Sequence, residues 1–227
     1  MLNLKNNPDE ASHLDSILAQ VMEDEKRFPS EKRSEHRDLL FVPVKVSQDK
    51  LDFSLSGYTR DISSRGICLI MPQPYRTGTV ATIQLSGSNT QETSAAQCHW
   101  SLKFGSAYWA SGWSLSETWP VGRLLKEDRF VEPDQRNTDR WRAALPVNIC
   151  IPGQKFHVSG FSRNLSRGGI CLMSKVATTP GQIADLEIKR VNGESYCIES
   201  HCAWAKQYDE ETWVSGWKFN TEEISAS

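Results

Sequence analysis

The ten residues Arg60-Asp-Ile-Ser-Ser-Arg-Gly-Ile-Cys-Leu69 are written a second time as Arg163-Asn-Leu-Ser-Arg-Gly-Gly-Ile-Cys-Leu172. The shared pattern is Arg-(Asp/Asn)-x-Ser-x-x-Gly-Ile-Cys-Leu, and the copies lie 163 − 60 = 103 residues apart. A self-similarity of that length reads as a duplicated domain, because solenoid units recur at about 20–50 residues.

Working outward, Arg33-x-x-x-Arg37 returns as Arg136-x-x-x-Arg140 and Pro43-Val44 as Pro146-Val147, all at the same offset. On the other side, Cys98-x-Trp100 returns as Cys202-x-Trp204 and Trp109-x-Ser-Gly-Trp113 as Trp213-x-Ser-Gly-Trp217. There the offset is 104, so the second copy has gained one residue between the two blocks. A register kept this far gives two tandem copies of one fold. The division is an N-terminal helical segment over 1–30, a first domain over 31–116, a helix and linker over 117–133, and a second domain over 134–227.

Leu40, Val42, Val44 and Val46 alternate with other residues, as do Leu145, Val147, Ile149 and Ile151, which is the period of a half-buried strand. Short apolar runs follow, separated by Gly57, Gly66, Gly78, Gly87 and Gly105 and, in the second copy, by Gly153, Gly160, Gly168-Gly169, Gly181 and Gly193. Many short strands with turn signals at such intervals predict an antiparallel barrel or sandwich. Spacing by two places Cys98 with Trp100, and Trp109 with Trp113, on one face each, so the tryptophans are expected to fill the barrel.

Outside the copies, Leu14, Ile17, Leu18, Val21 and Met22 recur at helical spacing after Asn7-Pro8-Asp9-Glu10, which predicts a helix within 1–30. This helix either packs on its own protein or serves docking or oligomerisation. Between the copies, Val121, Leu124 and Leu125 form a short stripe behind Thr118, a candidate cap, and Pro120, which predicts a helix of two to three turns.

Composition excludes several classes. A formal net charge of −2 argues against a general nucleic-acid or anionic-membrane binder. The start has no basic stretch followed by an apolar run, and no segment approaches the eighteen or so apolar residues of a spanning helix. Cys68/Cys171 and Cys98/Cys202 occupy equivalent points in apolar runs, so they read as core residues in a reducing compartment, and the expected location is cytoplasmic. Catalysis is not expected. His99 beside Cys98 and His201 beside Cys202 fall on opposite faces of a strand, and neither Cys-x-x-Cys, His-x-x-x-His nor Gly-x-Ser-x-Gly occurs. No metal site is expected either.

The repeated polar residues are the candidate site. Two guanidiniums four residues apart supply permanent positive charge and bidentate donors, suited to phosphates and to the O6/N7 edge of guanine. Asp61-x-Ser63-x-x-Gly66 and Asn164-x-Ser166-x-x-Gly169 read as a strand-to-turn transition, with side chains bonded to local backbone and a glycine at positive φ. The same oxygens can accept from guanine N1–H or N2–H₂, and glycine lets a flat base approach. A turn alone does not require paired arginines.

Arg-x-x-x-Arg followed by (Asp/Asn)-x-Ser-x-x-Gly, here 24 residues on from Arg37 to Asp61 and likewise from Arg140 to Asn164, resembles the signature of PilZ domains, bacterial receptors for cyclic di-GMP. The resemblance covers nearly all of 31–220. It implies a mainly β chain of two tandem six-stranded antiparallel barrels, with an N-terminal helix and a short inter-domain helix. It also implies that Arg33 and Arg37 act with Asp61, Ser63 and Gly66, and Arg136 and Arg140 with Asn164, Ser166 and Gly169. Lys32, before the first arginine motif, and Arg60 and Arg163, before the second, are secondary candidates. Gln135 stands in the second copy where Lys32 stands in the first, so the copies are expected to differ. The implied function is a receptor whose segments rearrange on binding and signal to a protein partner that the sequence does not identify. Two alternatives remain open: a scaffold of barrels that does not bind nucleotide, and one that binds it in only one copy.

Overall fold

The computed structural model describes residues 37–48, 53–86, 91–104, 107–127, 141–189 and 195–220. The helix expected within 1–30 lies outside them. The first copy forms β1 (Asp38–Leu39), β2 (Pro43–Ser47), β3 (Ser54–Ser63), β4 (Gly66–Met71), β5 (Val80–Ser86), β6 (Gln91–Phe104) and β7 (Tyr108–Leu115). Helix α1 (Val121–Glu127) follows. The second copy then forms β8 (Trp141–Arg142), β9 (Pro146–Cys150), β10 (Val158–Ser166), β11 (Gly169–Ser174), β12 (Ile183–Lys189), β13 (Ser195–Gln207) and β14 (Trp213–Phe219).

Each copy is a closed antiparallel barrel of six strands. In the first, the order β3-β2-β5-β6-β7-β4 closes through β3–β4 pairing, and in the second β10-β9-β12-β13-β14-β11 closes through β10–β11. β1 and β2 take the same edge of β3, opposite β4, and read as one strand broken at 40–42. The break falls before Pro43, which has no N–H to give the ladder. Pro146 breaks the second barrel's β8–β9 edge in the same way.

The alternation of apolar residues becomes the barrel interior. Val44 and Val46 point inward from β2, and Val147 and Ile149 from β9, all at most 2% exposed. Trp113 and Trp217 fill the two barrels, each indole donating to the hydroxyl two residues earlier, Ser111 at 2.8 Å and Ser215 at 2.9 Å. Trp100 and Trp204 do not join them. A one-residue bulge between Cys98 and Trp100, repeated between Cys202 and Trp204, puts the cysteine opposite the buried tryptophan and the next tryptophan opposite a glycine. A bulge turns the following side chains to the other face, so the expectation that Cys98 and Trp100 share a face fails. Trp100 lies on Gly112 and Trp204 on Gly216, where an added Cβ would fall 2.2 Å from each indole nitrogen.

Two other expectations change. Gly57 and Gly160, read as breakers, sit inside β3 and β10, where a Cβ would come within 2.5 Å of the Ile70 and Met173 carbonyls. The true turn glycines are Gly78, Gly153 and Gly181, the positive-φ glycines of the described residues. Helix α1 forms where its stripe predicts, but Thr118 is not its cap. The Pro120 carbonyl accepts the Arg123 and Leu124 amides, which makes Pro120 the N-cap, while the Thr118 hydroxyl accepts from Arg65 Nε at 3.5 Å.

The barrels dock through equivalent outer faces. Tyr58, Ile70 and Ala110 form one row across β3, β4 and β7, and Phe161, Met173 and Val214 form the matching row across β10, β11 and β14. All six belong to one buried cluster that spans both barrels. Phe161 is its centre, with ring centroids 5.2 Å from Tyr58, 5.8 Å from Phe41 and 4.6 Å from Tyr108. A cavity of about 280 Å³ opens at the rim of this seam, where Lys45 and Lys175 both face Glu211.

Candidate functional site

The site begins at a second bulge. Thr59 pairs with Leu69 and Asp61 with Cys68, leaving Arg60 as the extra residue, and in the other barrel Arg163 is the extra residue between Ser162 and Asn164. Beyond the bulge, Ile62 turns into the core with no exposure, so Asp61 and Ser63 turn outward. The next rows on the docking face are therefore Asp61, Cys68 and Gly112, then Ser63, Gly66 and Ser114. In the second barrel the matching rows hold Asn164, Cys171 and Gly216, then Ser166, Gly169 and Lys218. Both candidate sites thus adjoin the seam between the barrels.

In the first barrel the residues named from sequence converge. Asp61 is almost wholly buried, and its carboxylate lies between two guanidiniums. Oδ1 accepts from Arg37 Nη1 at 2.7 Å and Oδ2 from Arg60 Nη1 at 2.6 Å. Such charge-assisted bonds are about twice as strong as neutral ones. Arg37 also covers Gly66, with Nη2 2.8 Å from where a Cβ would stand. Arg37 and Arg60 thus share one carboxylate on a mildly acidic chain.

The turn itself differs from expectation. Gly66 and Gly169 are not at positive φ; each opens a strand and is needed for space. The serines do not bond backbone N–H groups but donate to carbonyls, Ser63 Oγ to Gly66 O at 3.5 Å and Ser166 Oγ to Gly169 O at 3.1 Å. In the second barrel a Cβ on Gly169 would strike the Trp217 carbonyl at 2.3 Å. Arg163 and Asn164 are partly exposed there. Lys32, Arg33, Arg136 and Arg140 lie outside the described residues.

Two features escape a reading of sequence. The first is a hydroxyl before each bulge. Thr59 and Ser162, both unexposed, accept from the Val42 amide at 3.0 Å and the Leu145 amide at 2.9 Å, and donate to the Leu40 and Ala143 carbonyls. Their shared offset of 162 − 59 = 103 was the available signal. The second is the docking of α1's approach on the Ser64-Arg65 turn, where the Trp119 amide donates to Ser64 O and the Leu115 amide to Arg65 O, both at 2.9 Å.

The neighbouring groups are occupied in structural bonds. Burial pushes the Cys98 and Cys202 thiols up, which suits packing rather than thiolate chemistry. His99 Nε2 meets Ser114 Oγ at 2.8 Å and His201 Nδ1 meets Asn220 Oδ1 at 2.9 Å. Among the described residues, no group of three or more His, Cys, Asp or Glu is placed to hold a metal ion, and no helix is long and apolar enough to cross a membrane.

A family model described as PilZ domain matches residues 31–108 and 134–226. A search of curated proteins finds no match. Among solved structures, the chain is similar to the Borreliella burgdorferi PlzA protein in complex with c-di-GMP, at 12% identity and a TM-score of 0.34, over 88% of this chain and 93% of that one. It is similar to the Bacillus subtilis inhibitor of motility MotI/DgrA at 12% identity and a TM-score of 0.33, over 79% and 88%. It is also similar to YcgR from Escherichia coli in complex with c-di-GMP, at 11% identity and a TM-score of 0.34, over 80% and 77%.

Proposed function

The chain belongs to the PilZ domain family, and from that membership we propose that it is a binding protein, not an enzyme, that receives cyclic di-GMP in the cytoplasm. The observation that carries this reading is the convergence of Arg37, Asp61, Ser63 and Gly66 on one patch of the first barrel. By the family resemblance, Arg33 and, secondarily, Lys32 are expected to contribute to the same site. The second barrel offers Arg136, Arg140, Asn164, Ser166 and Gly169, with Arg163 at the bulge.

The chemistry of the exchange is complementary. Without ligand, Arg37 and Asp61 satisfy each other. Cyclic di-GMP brings phosphates and guanine O6/N7 edges for the guanidinium, and guanine N1–H and N2–H₂ donors for the carboxylate, so both partners of the internal pair are met by the ligand. The indole face of Trp100, over Gly112 in the Asp61 row, gives a base an apolar surface to lie against. Drawing Arg37 to the ligand moves the segment before β1, and the Ser64-Arg65 turn transmits strain to the chain that enters α1. Rearrangement of these segments, presenting a surface to a protein partner, is the output.

The internal Arg37–Asp61 pair also favours a second reading, in which the arginines serve structure and the barrels act as a scaffold. Calorimetric titration with cyclic di-GMP of the unsubstituted protein, Arg37→Ala and Arg140→Ala separates the two. Each substitution is expected to remove a separable share of the binding. Absence of heat from the unsubstituted protein would leave the scaffold.

A further inference from the structure

The buried hydroxyl before each bulge is used by neither reading of the site so far. We propose that Thr59 is a positioning residue for Arg37 in the first binding site, an inference that rests on the receptor reading above. The side chain does not reach the ligand surface, since it is wholly buried, as is its counterpart Ser162. Thr59 acts on the short ladder from which Arg37 leaves.

The geometry is the same in both barrels. Residues 38–42 run antiparallel to the end of β3, with Asp38 opposite Ile62 and Leu39 opposite Asp61, and Arg37 leaves this short ladder directly onto Asp61. The ladder is weak. The bulge at Arg60 takes the β3 carbonyls out of step, the Leu40 amide reaches Arg60 O at a long 3.3 Å, and Pro43 has no amide to give. The Thr59 side chain fills the gap by accepting the Val42 amide and donating to the Leu40 carbonyl, while its own amide donates to Val42 O at 2.9 Å. Ser162 repeats all three bonds with Leu145 and Ala143.

Conservation of the clip between two copies that differ at Asp61 and Asn164 separates it from the electrostatics of the site. A buried hydroxyl with both its bonds made fixes the backbone at the base of the arm, and so fixes where a guanidinium five residues earlier can point. Only a small hydroxyl side chain fits this role. Valine keeps the shape of threonine and removes the acceptor, leaving a buried amide and carbonyl unmet.

The test is titration with cyclic di-GMP in the Arg140→Ala background, where the first site is read alone. Thr59→Val is expected to raise its Kd roughly tenfold, part of the cost of two lost buried hydrogen bonds being expressed in binding. Thr59→Ser, which installs the residue that the second barrel uses, is expected to restore the affinity. A Thr59→Val protein with a lowered melting temperature and unchanged Kd would reduce the hydroxyl to a packing element and overturn the proposal. Should Thr59→Val fail to fold, Thr59→Ala in the same background, compared with Thr59→Ser, decides; unchanged first-site affinity there overturns the proposal equally. Absence of heat from the unsubstituted protein removes the receptor reading and this proposal together, whereas binding with indifferent variants removes only this proposal.

Discussion

The two barrels carry the same turn and hold it differently. In the first, Asp61 is bracketed by Arg37 and Arg60, and the guanidinium of Arg37 is what presses on Gly66. In the second, neutral Asn164 stands at the same point, and the backbone carbonyl of Trp217 is what presses on Gly169. Both turns accept the amide that ends the closing strand, Leu115 on Arg65 O and Phe219 on Gly168 O, and the first barrel's turn also takes the Trp119 amide from the chain entering α1 on Ser64 O. A duplicated scaffold thus keeps its backbone hydrogen bonding and varies the charge and the neighbours of its site. The copies are equivalent in shape and unequal in electrostatics.

The sharpest way to break that equivalence is at the seam. Phe161→Ala removes the ring that contacts Phe41, Tyr58 and Tyr108 and is expected to cost about 3–5 kcal/mol. Scanning calorimetry should then resolve separate transitions for the barrels. A single transition at nearly the original temperature would mean that the shared cluster does not couple them.

The glycines come next. Gly169→Ala drives a methyl into an immovable carbonyl and is expected to destabilise the second barrel by about 1–3 kcal/mol in denaturant melts. Gly66→Ala meets the far end of a flexible side chain, so its cost should be smaller while Arg37 swings off Asp61. Equal costs would show that the two glycines hold the same kind of contact.

The smallest effect concerns the interior. Tyr75 packs edge-on against Trp113, and its buried hydroxyl has no hydrogen-bond partner among the described residues; the residue at the same place in the second barrel is Thr178, whose hydroxyl meets Cys202 Sγ at 3.7 Å. Tyr75→Phe is expected to change neutral-pH stability by no more than about 0.5 kcal/mol. Alkali should reveal more. Burial, with the nearby Cys98, pushes the Tyr75 phenol from 10.0 up to about 12. The unfolded chain therefore releases this proton first, so the stability tied to the neutral phenol is complete below pH 10 and falls as pH rises towards about 12. Tyr75→Phe should lessen that alkaline loss, and Thr178→Val should leave it unchanged.

Much of this architecture was legible from register alone. The repeat at 103 residues and the alternation through Val44, Val46, Val147 and Ile149 predicted two small antiparallel barrels or sandwiches, the resemblance to PilZ domains pointed to the barrel, and Val121, Leu124 and Leu125 predicted α1. What escaped was everything that depends on a single inserted residue. A bulge leaves no mark in composition, yet those after Cys98 and Thr59 decide which way Trp100, Asp61 and Ser63 face. The glycines were read for torsional freedom when their role is clearance, because the atoms that crowd them come from Arg37 and Trp217, remote in sequence. The polar residues of the candidate site stood out because charge and spacing repeat. Thr59 and Ser162 were passed over because a lone hydroxyl between apolar residues looks like any other strand position.

The docking of like face on like face has a topological consequence. A surface that is complementary to its own copy would, on a separate molecule, recruit a second molecule. Here that second copy is already tethered by the chain between Leu115 and Trp141, which makes the contact intramolecular. The contact closes within one polypeptide and leaves no end free to propagate. Self-recognition that would otherwise set an oligomeric state is turned inward, and the chain is a pseudo-dimer whose assembly does not depend on how much of it the cell makes.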